Sequence, residues 1–140
     1  MVKGSMKKTL LLAAALACSG VAQADVYFCE TKGWANVSSS GEINKGEPND
    51  QYVVNSDLGF KWTRAKEDEY KGSCSFQTHI QTFPTGEEEI KLLKCTDSTS
   101  IFLEEFVIST DERDGNSYPF SYVTNSFDSI SVWSGTCTKI

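Results

Sequence analysis

Four cysteines, Cys29, Cys74, Cys95 and Cys137, are spread along the chain with no C-x-x-C pair among them. An even number in a short chain headed by an export signal reads as a framework of two disulfides. That framework limits the folds open to the chain, because bridged Cα atoms must come within roughly 7 Å of each other. A zinc site would ask for closer ligand spacing and more histidine than the single His79. A thioredoxin-like redox site would ask for C-x-x-C. Neither a metal nor another cofactor is expected.

The export signal occupies residues 1–24, and residues 25–140 are read as a single exported β domain. Lys7 and Lys8 form a positive region, Thr9 to Ala17 an apolar run, and Ala22-Gln23-Ala24 a small-x-small cleavage site. The apolar run falls well short of the roughly 20 residues that span a bilayer, so no transmembrane segment is expected. The expected location is the periplasm or the exterior. A minor alternative is a lipoprotein anchored at Cys18, but Leu16 stands two residues before that cysteine, where such signals place leucine three before it.

Lys3, Lys7 and Lys8 would leave with the leader and no acidic residue would. The 13 basic and 19 acidic residues of the whole chain thus become 10 and 19, a net charge of −9. A surface of that sign repels nucleic acid and anionic lipid, which both need a basic footprint, and attracts a basic protein.

The apolar residues of the mature chain recur with a period of two. Leu58, Phe60 and Trp62 alternate with Gly59, Lys61 and Thr63, and Cys74, Phe76, Thr78 and Ile80 alternate with Ser75, Gln77 and His79. Such alternation places one set toward a core and the other toward water, as a strand does. Seven or eight strands are expected, drawn from the segments near 26–32, 34–38, 51–55, 58–64, 73–80, 89–95, 100–109, 118–124 and 129–137. Gly, Asn and Pro mark turns between them, at Pro84-Thr85-Gly86, Asp114-Gly115-Asn116 and Asn125 to Ser129. Ser38 to Asp50 reads as an exposed loop, and Arg64 to Lys71 as one or two helical turns ending at Gly72. Short connections favour antiparallel neighbours. The expected fold is all-β, a small antiparallel meander forming a closed or half-open barrel, with a β-sandwich as the alternative.

The turn at Phe83–Gly86 sets a register. Residues opposed across it have numbers that add to the same total as 83 and 86, and Cys74 with Cys95 satisfies that sum. A bulge near Ile90 and Leu92 would break the register, and four cysteines allow two other pairings. In the favoured pairing Cys29 joins Cys137, enclosing most of the domain and stabilising it by roughly 4–5 kcal/mol on the chain-entropy model.

Catalytic constellations are sparse. Any Ser-His-Asp or Cys-His mechanism would have to use His79, on the polar face of an alternating strand, and no G-x-S-x-G elbow is present. Glu87-Glu88-Glu89 reads as a solvated cluster. Glu104 interrupts the apolar Phe102, Phe106, Ile108 face and is expected near a barrel mouth or at a bulge. Asp111 to Asn116 fails the calcium-loop pattern, with Arg113 and Gly115 at ligand positions. Trp34, Trp62 and Trp133, with Tyr27, Tyr52, Tyr118 and Tyr122, form a sizeable aromatic set, most of which is expected in the core. With Ile130 and Val132 read as inward, Trp133 should point outward and serve as an interaction hot spot; the alternative is that Trp133, which shares its face with Cys137, is packed under a loop. Trp34 beside Gly33 is a second candidate. No residue is assigned a catalytic role.

These features point to a non-enzymatic exported binding domain that binds or inhibits a protein partner. Two alternatives are a carrier of small apolar ligands with a cavity inside a barrel and a carboxylate-based hydrolase.

Overall fold

The computed structural model describes residues 23–99, 101–111 and 115–140. Nearly all of the expected export signal, Cys18 and Asp114 of the expected Asp-Gly turn therefore lie outside the described residues. Nine strands follow one another: β1 (Val26–Ser38), β2 (Ile43–Gly46), β3 (Gln51–Asn55), β4 (Gly59–Trp62), β5 (Ser73–Phe83), β6 (Gly86–Ser98), β7 (Phe102–Ser109), β8 (Tyr118–Ser126) and β9 (Ser129–Lys139). All pairings are antiparallel, in the order β4-β3-β1-β9-β8-β7-β6-β5, and β2 pairs with the second half of β1 beyond β3. The sheet curls into a half-barrel. Among the described residues no helix is long and apolar enough to cross a membrane.

Alternation decides the concave face. Tyr27 and Cys29 on β1, Leu93 and Cys95 on β6, Phe106 and Ile108 on β7, and Phe120 and Tyr122 on β8 are all buried, with their sequence neighbours turned outward. Aromatic rings fill this concavity. Phe106 packs against Tyr52 and Phe60 from the first edge of the sheet, at 5.6 Å each, and against Phe120 and Tyr122 beside it, at 5.0 and 5.4 Å.

Both disulfides join residues directly opposed on neighbouring strands. Cys29 faces Cys137 across β1 and β9, and Cys74 faces Cys95 across β5 and β6, each pair with Cα atoms 3.9 Å apart. The hairpin register is the expected one, Phe83 opposite Gly86, and it runs unbroken to Ser73 with no bulge at Ile90. Two bridges fit an oxidising compartment.

Four expectations need correction. Residues 26–38 form one strand rather than two, because a bulge at Lys32 keeps the pairing with β9 going. The polar 38–50 segment contains β2, whose four residues are all exposed and so show no alternation. Residues 64–71 form turns, not helix: Ala65 N–H donates to the Trp62 carbonyl and Glu69 N–H to that of Lys66, three residues back each time. The strand expected over 58–64 ends at Trp62.

The segment 63–72 has another task. Phe60 and Lys71 exchange both backbone hydrogen bonds, at 3.0 Å, which joins β4 to the residues just before β5 and closes one end of the half-barrel with a two-bond seam. Glycine is required on each side of it. Gly59 has φ +108° and a Cβ there would collide with the Lys71 carbonyl, while Gly72 has φ +81° and a Cβ would press on the Phe60 ring and the Thr96 carbonyl.

Candidate functional site

Beside this seam lies a cleft of about 420 Å³. Its base is aromatic: Tyr52, Phe60 and Tyr122 are nearly inaccessible to solvent. Trp133 stacks on Tyr122, with ring centroids 5.0 Å apart and planes 24° apart. Trp62 stands at the rim with 58% of its surface exposed. The turn segment contributes Ala65, Glu69 and Lys71, and β7 and β8 contribute Glu104 and Thr124.

Alternation explains why these side chains meet. Glu104 is in step with Phe106 and Ile108, so it enters the concavity although it is charged. Its carboxylate is held on both sides. Tyr122 O–H donates to Oε1 at 2.6 Å, and Lys71 Nζ lies 2.9 Å from Oε1 and 2.8 Å from Oε2. Lys71 also sits over the Phe60 ring, 5.5 Å from its centroid. Lys61 lines the cleft as well, donates to the Lys66 carbonyl at 3.1 Å and covers the Tyr70 ring at 5.0 Å. It thereby ties the turn segment down.

Burial pushes the tyrosine hydroxyls up. Tyr52 rises to about 12, chiefly by desolvation, against which a hydrogen bond with Trp62 acts in the lowering direction. Tyr27 also rises to about 12, through desolvation and then the charge of Asp25. Tyr122 rises furthest, through burial first and then its bond to the Glu104 carboxylate. A group whose folded pKa lies above its unfolded value favours the fold fully below the unfolded value and loses that contribution as pH climbs through the folded one. Stability from these tyrosines is therefore expected to be level up to pH 10 and to fall from there through about 12. Denaturant midpoints across that range, set against tyrosinate absorbance, measure it.

Tyr122→Phe deletes the hydroxyl and leaves Glu104 with Lys71 alone. A hydrogen bond to a charged group contributes about 1.5–3 kcal/mol, and Lys71 remains, so a loss near 1.5 kcal/mol is expected in urea unfolding. A variant as stable as the parent would show the bond to be idle.

Trp133 was expected to face outward. It faces the concavity instead, in step with buried Cys137 on β9, while Ile130 and Val132 are 45% and 37% exposed on the convex side. Trp34 is opposite Trp133 across β1 and β9 and shares its face, because the bulge at Lys32 shifts the alternation of β1 by one. It is half-buried, packs near Gly46 of β2 and does not line the cleft. His79 is exposed on the projecting part of β5, with Nε2 3.2 Å from Gln77 Oε1, and Glu87 to Glu89 are exposed on β6. The structure thus unites Trp133 and Glu104 and leaves Trp34 and His79 outside the cleft. Tyr52, Trp62, Lys71 and Tyr122 are site residues that the sequence did not single out. For Tyr122 the available signal was its parity with Phe120.

Among the described residues no three His, Cys, Asp or Glu side chains converge as metal ligands. The cleft offers aromatic faces, an occupied carboxylate, the lysines Lys61 and Lys71, each already bonded within the chain, and the further carboxylate of Glu69. Comparison with protein-family models, with curated proteins and with solved structures gives no match.

Proposed function

We propose that this is an exported, non-enzymatic binding domain that takes a cationic side chain of a basic protein partner into the aromatic cleft. The observation that carries the reading is the exposed Trp62 on the same cleft as the stacked Trp133–Tyr122 pair, with Glu69 in no ion pair among the described residues. Aromatic faces attract cations, tryptophan most strongly, and an arginine side chain both stacks and donates to a carboxylate. The chain's net charge of −6 steers a basic partner toward it. Phe102, two residues from Glu104 on the same face, is 48% exposed and adds apolar rim for a macromolecular partner.

The carrier alternative asks for an enclosed apolar cavity, whereas the concavity holds the Phe106 aromatic cluster and the cleft opens to solvent at Trp62. The hydrolase alternative asks for two carboxylates free to act as acid and base, whereas Glu104 is engaged by Lys71 and Tyr122, which leaves Glu69 of the cleft without a second.

The test is a titration of the oxidised protein with short peptides carrying one arginine between apolar residues, followed by tryptophan fluorescence. The matched peptide with glutamate is the control. Binding of the arginine peptide is expected, weakened on the order of tenfold, about 1.4 kcal/mol, by Trp62→Ala. Equal binding of both peptides, or indifference to Trp62→Ala, overturns the reading. Turnover of a glycoside panel that Glu104→Gln abolishes would favour the hydrolase.

A further inference from the structure

Sheet edges in soluble proteins are normally blunted by lysine, proline, a bulge or shortness. The edge formed by β5 has none of these. It is 11 residues long, Ser-Cys-Ser-Phe-Gln-Thr-His-Ile-Gln-Thr-Phe, without a Lys, Arg, Asp, Glu or Pro, and its register with β6 is continuous from Ser73 to Phe83. Among the described residues no strand pairs with its outer side, since the seam to β4 stops at Lys71. The opposite end of the sheet is different: β4 has four residues and is covered by that seam.

The outer half of the β5–β6 hairpin also lacks support from within the chain. β7 pairs with β6 only from Leu92 to Ser98, and beyond it Thr110 and Asp111 still bond the Lys91 backbone, so His79 to Phe83 and Gly86 to Ile90 project as a two-stranded ribbon. A two-stranded ribbon is marginal in water, and a third strand stabilises it. Phe76 and Ile80, in step on one face of β5, are 57% and 70% exposed.

The strand is complementary to its own reverse. Laid antiparallel on a second copy about an axis through Thr78, it sets Phe76 opposite Ile80, Gln77 opposite His79, Ser75 opposite Gln81 and Thr78 opposite itself. Both exposed apolar residues then meet apolar partners, twice over, and every polar residue of the central stretch meets a polar one. Charge selects the same arrangement. An antiparallel pairing carries the acidic tips, Glu87 to Glu89, to opposite ends, and the row containing Glu88 then ends at the second copy's Lys94. The like-charged Lys91 pair on the central row stands three strand spacings apart, about 14 Å. That separation exceeds the roughly 8 Å screening length at physiological salt.

The geometry points to self-association through this edge: two copies of the chain join β5 to β5 about a twofold axis at Thr78, making a continuous sheet across both. The ribbon becomes the middle of a four-stranded sheet, and the open backbone groups of β5 are paired by about ten interchain hydrogen bonds. The contact is isologous, so it closes at the dimer.

Sedimentation velocity of the oxidised protein, from micromolar to submillimolar concentration at physiological ionic strength, tests this. A monomer–dimer equilibrium is expected. Thr78→Lys places like charges opposite each other at the axis and should raise the dimer dissociation constant on the order of tenfold or more. Thr78 is exposed, so at dilutions where both proteins are monomeric its circular dichroism and melting temperature should be those of the parent. Thr78→Cys should cross-link to itself on mild oxidation, identified by mass spectrometry as the 73–83 segment joined to its own copy. Ser75→Cys should cross-link only when combined with Gln81→Cys. A monomer throughout, a dimer indifferent to Thr78→Lys, or no self-cross-link from Thr78→Cys each overturns the proposal. So does a monomer whose β5 edge takes up an extended peptide of another protein.

Discussion

Replacing Cys29 and Cys137 together by alanine is expected to lower the free energy of unfolding by about 4–5 kcal/mol, against about 3 kcal/mol for Cys74 with Cys95. The difference follows from the loops they close, 108 and 21 residues of sequence separation. Each bridge joins strands that are already hydrogen-bonded neighbours, so neither one is needed to bring its strands together. What each does is restrict the unfolded chain, and the longer loop restricts it more. The first bridge also fastens the first strand to the last. Freed of it, the unfolded chain expands, so the denaturant slope should rise along with the fall in midpoint. Urea unfolding of the two double variants measures both. A larger loss from the Cys74–Cys95 pair would show that native-state effects, not loop entropy, govern.

Phe106→Ala should cost about 3–5 kcal/mol, the range for truncating a fully buried aromatic. Phe106 has no exposed surface and touches rings from both sides of the concavity: Tyr52 and Phe60 on β3 and β4, Phe120 and Tyr122 on β8. Those first two strands are four places from β7 or more in the sheet order, so this ring is what packs the two flanks together. Its loss should also loosen Phe60 and Tyr122 at the base of the cleft. Phe127→Ala is the control. That ring is 87% exposed, and its removal should change stability by no more than about 0.5 kcal/mol. Chemical denaturation of both, with near-ultraviolet circular dichroism to follow aromatic packing, separates the outcomes.

Much of the fold was legible because a strand's two faces differ in parity. Cys74, Phe76, Thr78 and Ile80 gave away β5, and a single tight turn then carried the register to Cys95. Parity also explains the failures. Lys32 is an extra residue in β1, so the alternation breaks there and residues 26–38 read as two strands instead of one. In β9 the aliphatic Ile130 and Val132 pointed one way and Cys137 the other, and the bridged cysteine is the stronger marker because its partner fixes its direction. Glu104 was recognised as out of place, and its inward position follows from Phe106 and Ile108. Its partners were not legible, since Lys71 arrives from a segment whose charges read as helix and whose path is set by backbone bonds to Phe60. β2 has no buried side at all, so nothing in its composition distinguishes it from loop.

The seam between Phe60 and Lys71 gives the cleft a built-in reporter. The stretch that ends there supplies Ala65, Glu69 and Lys71 to the cleft, so anything gripped by those three must hold the seam shut as well. Opening of the seam and departure of the occupant become one equilibrium, linked through mass action. The two amide protons that lock it, on Phe60 and Lys71, should then exchange with deuterium more slowly as the cleft fills, while amides of the distant hairpin ribbon, such as those of Thr82 and Glu89, keep their pace.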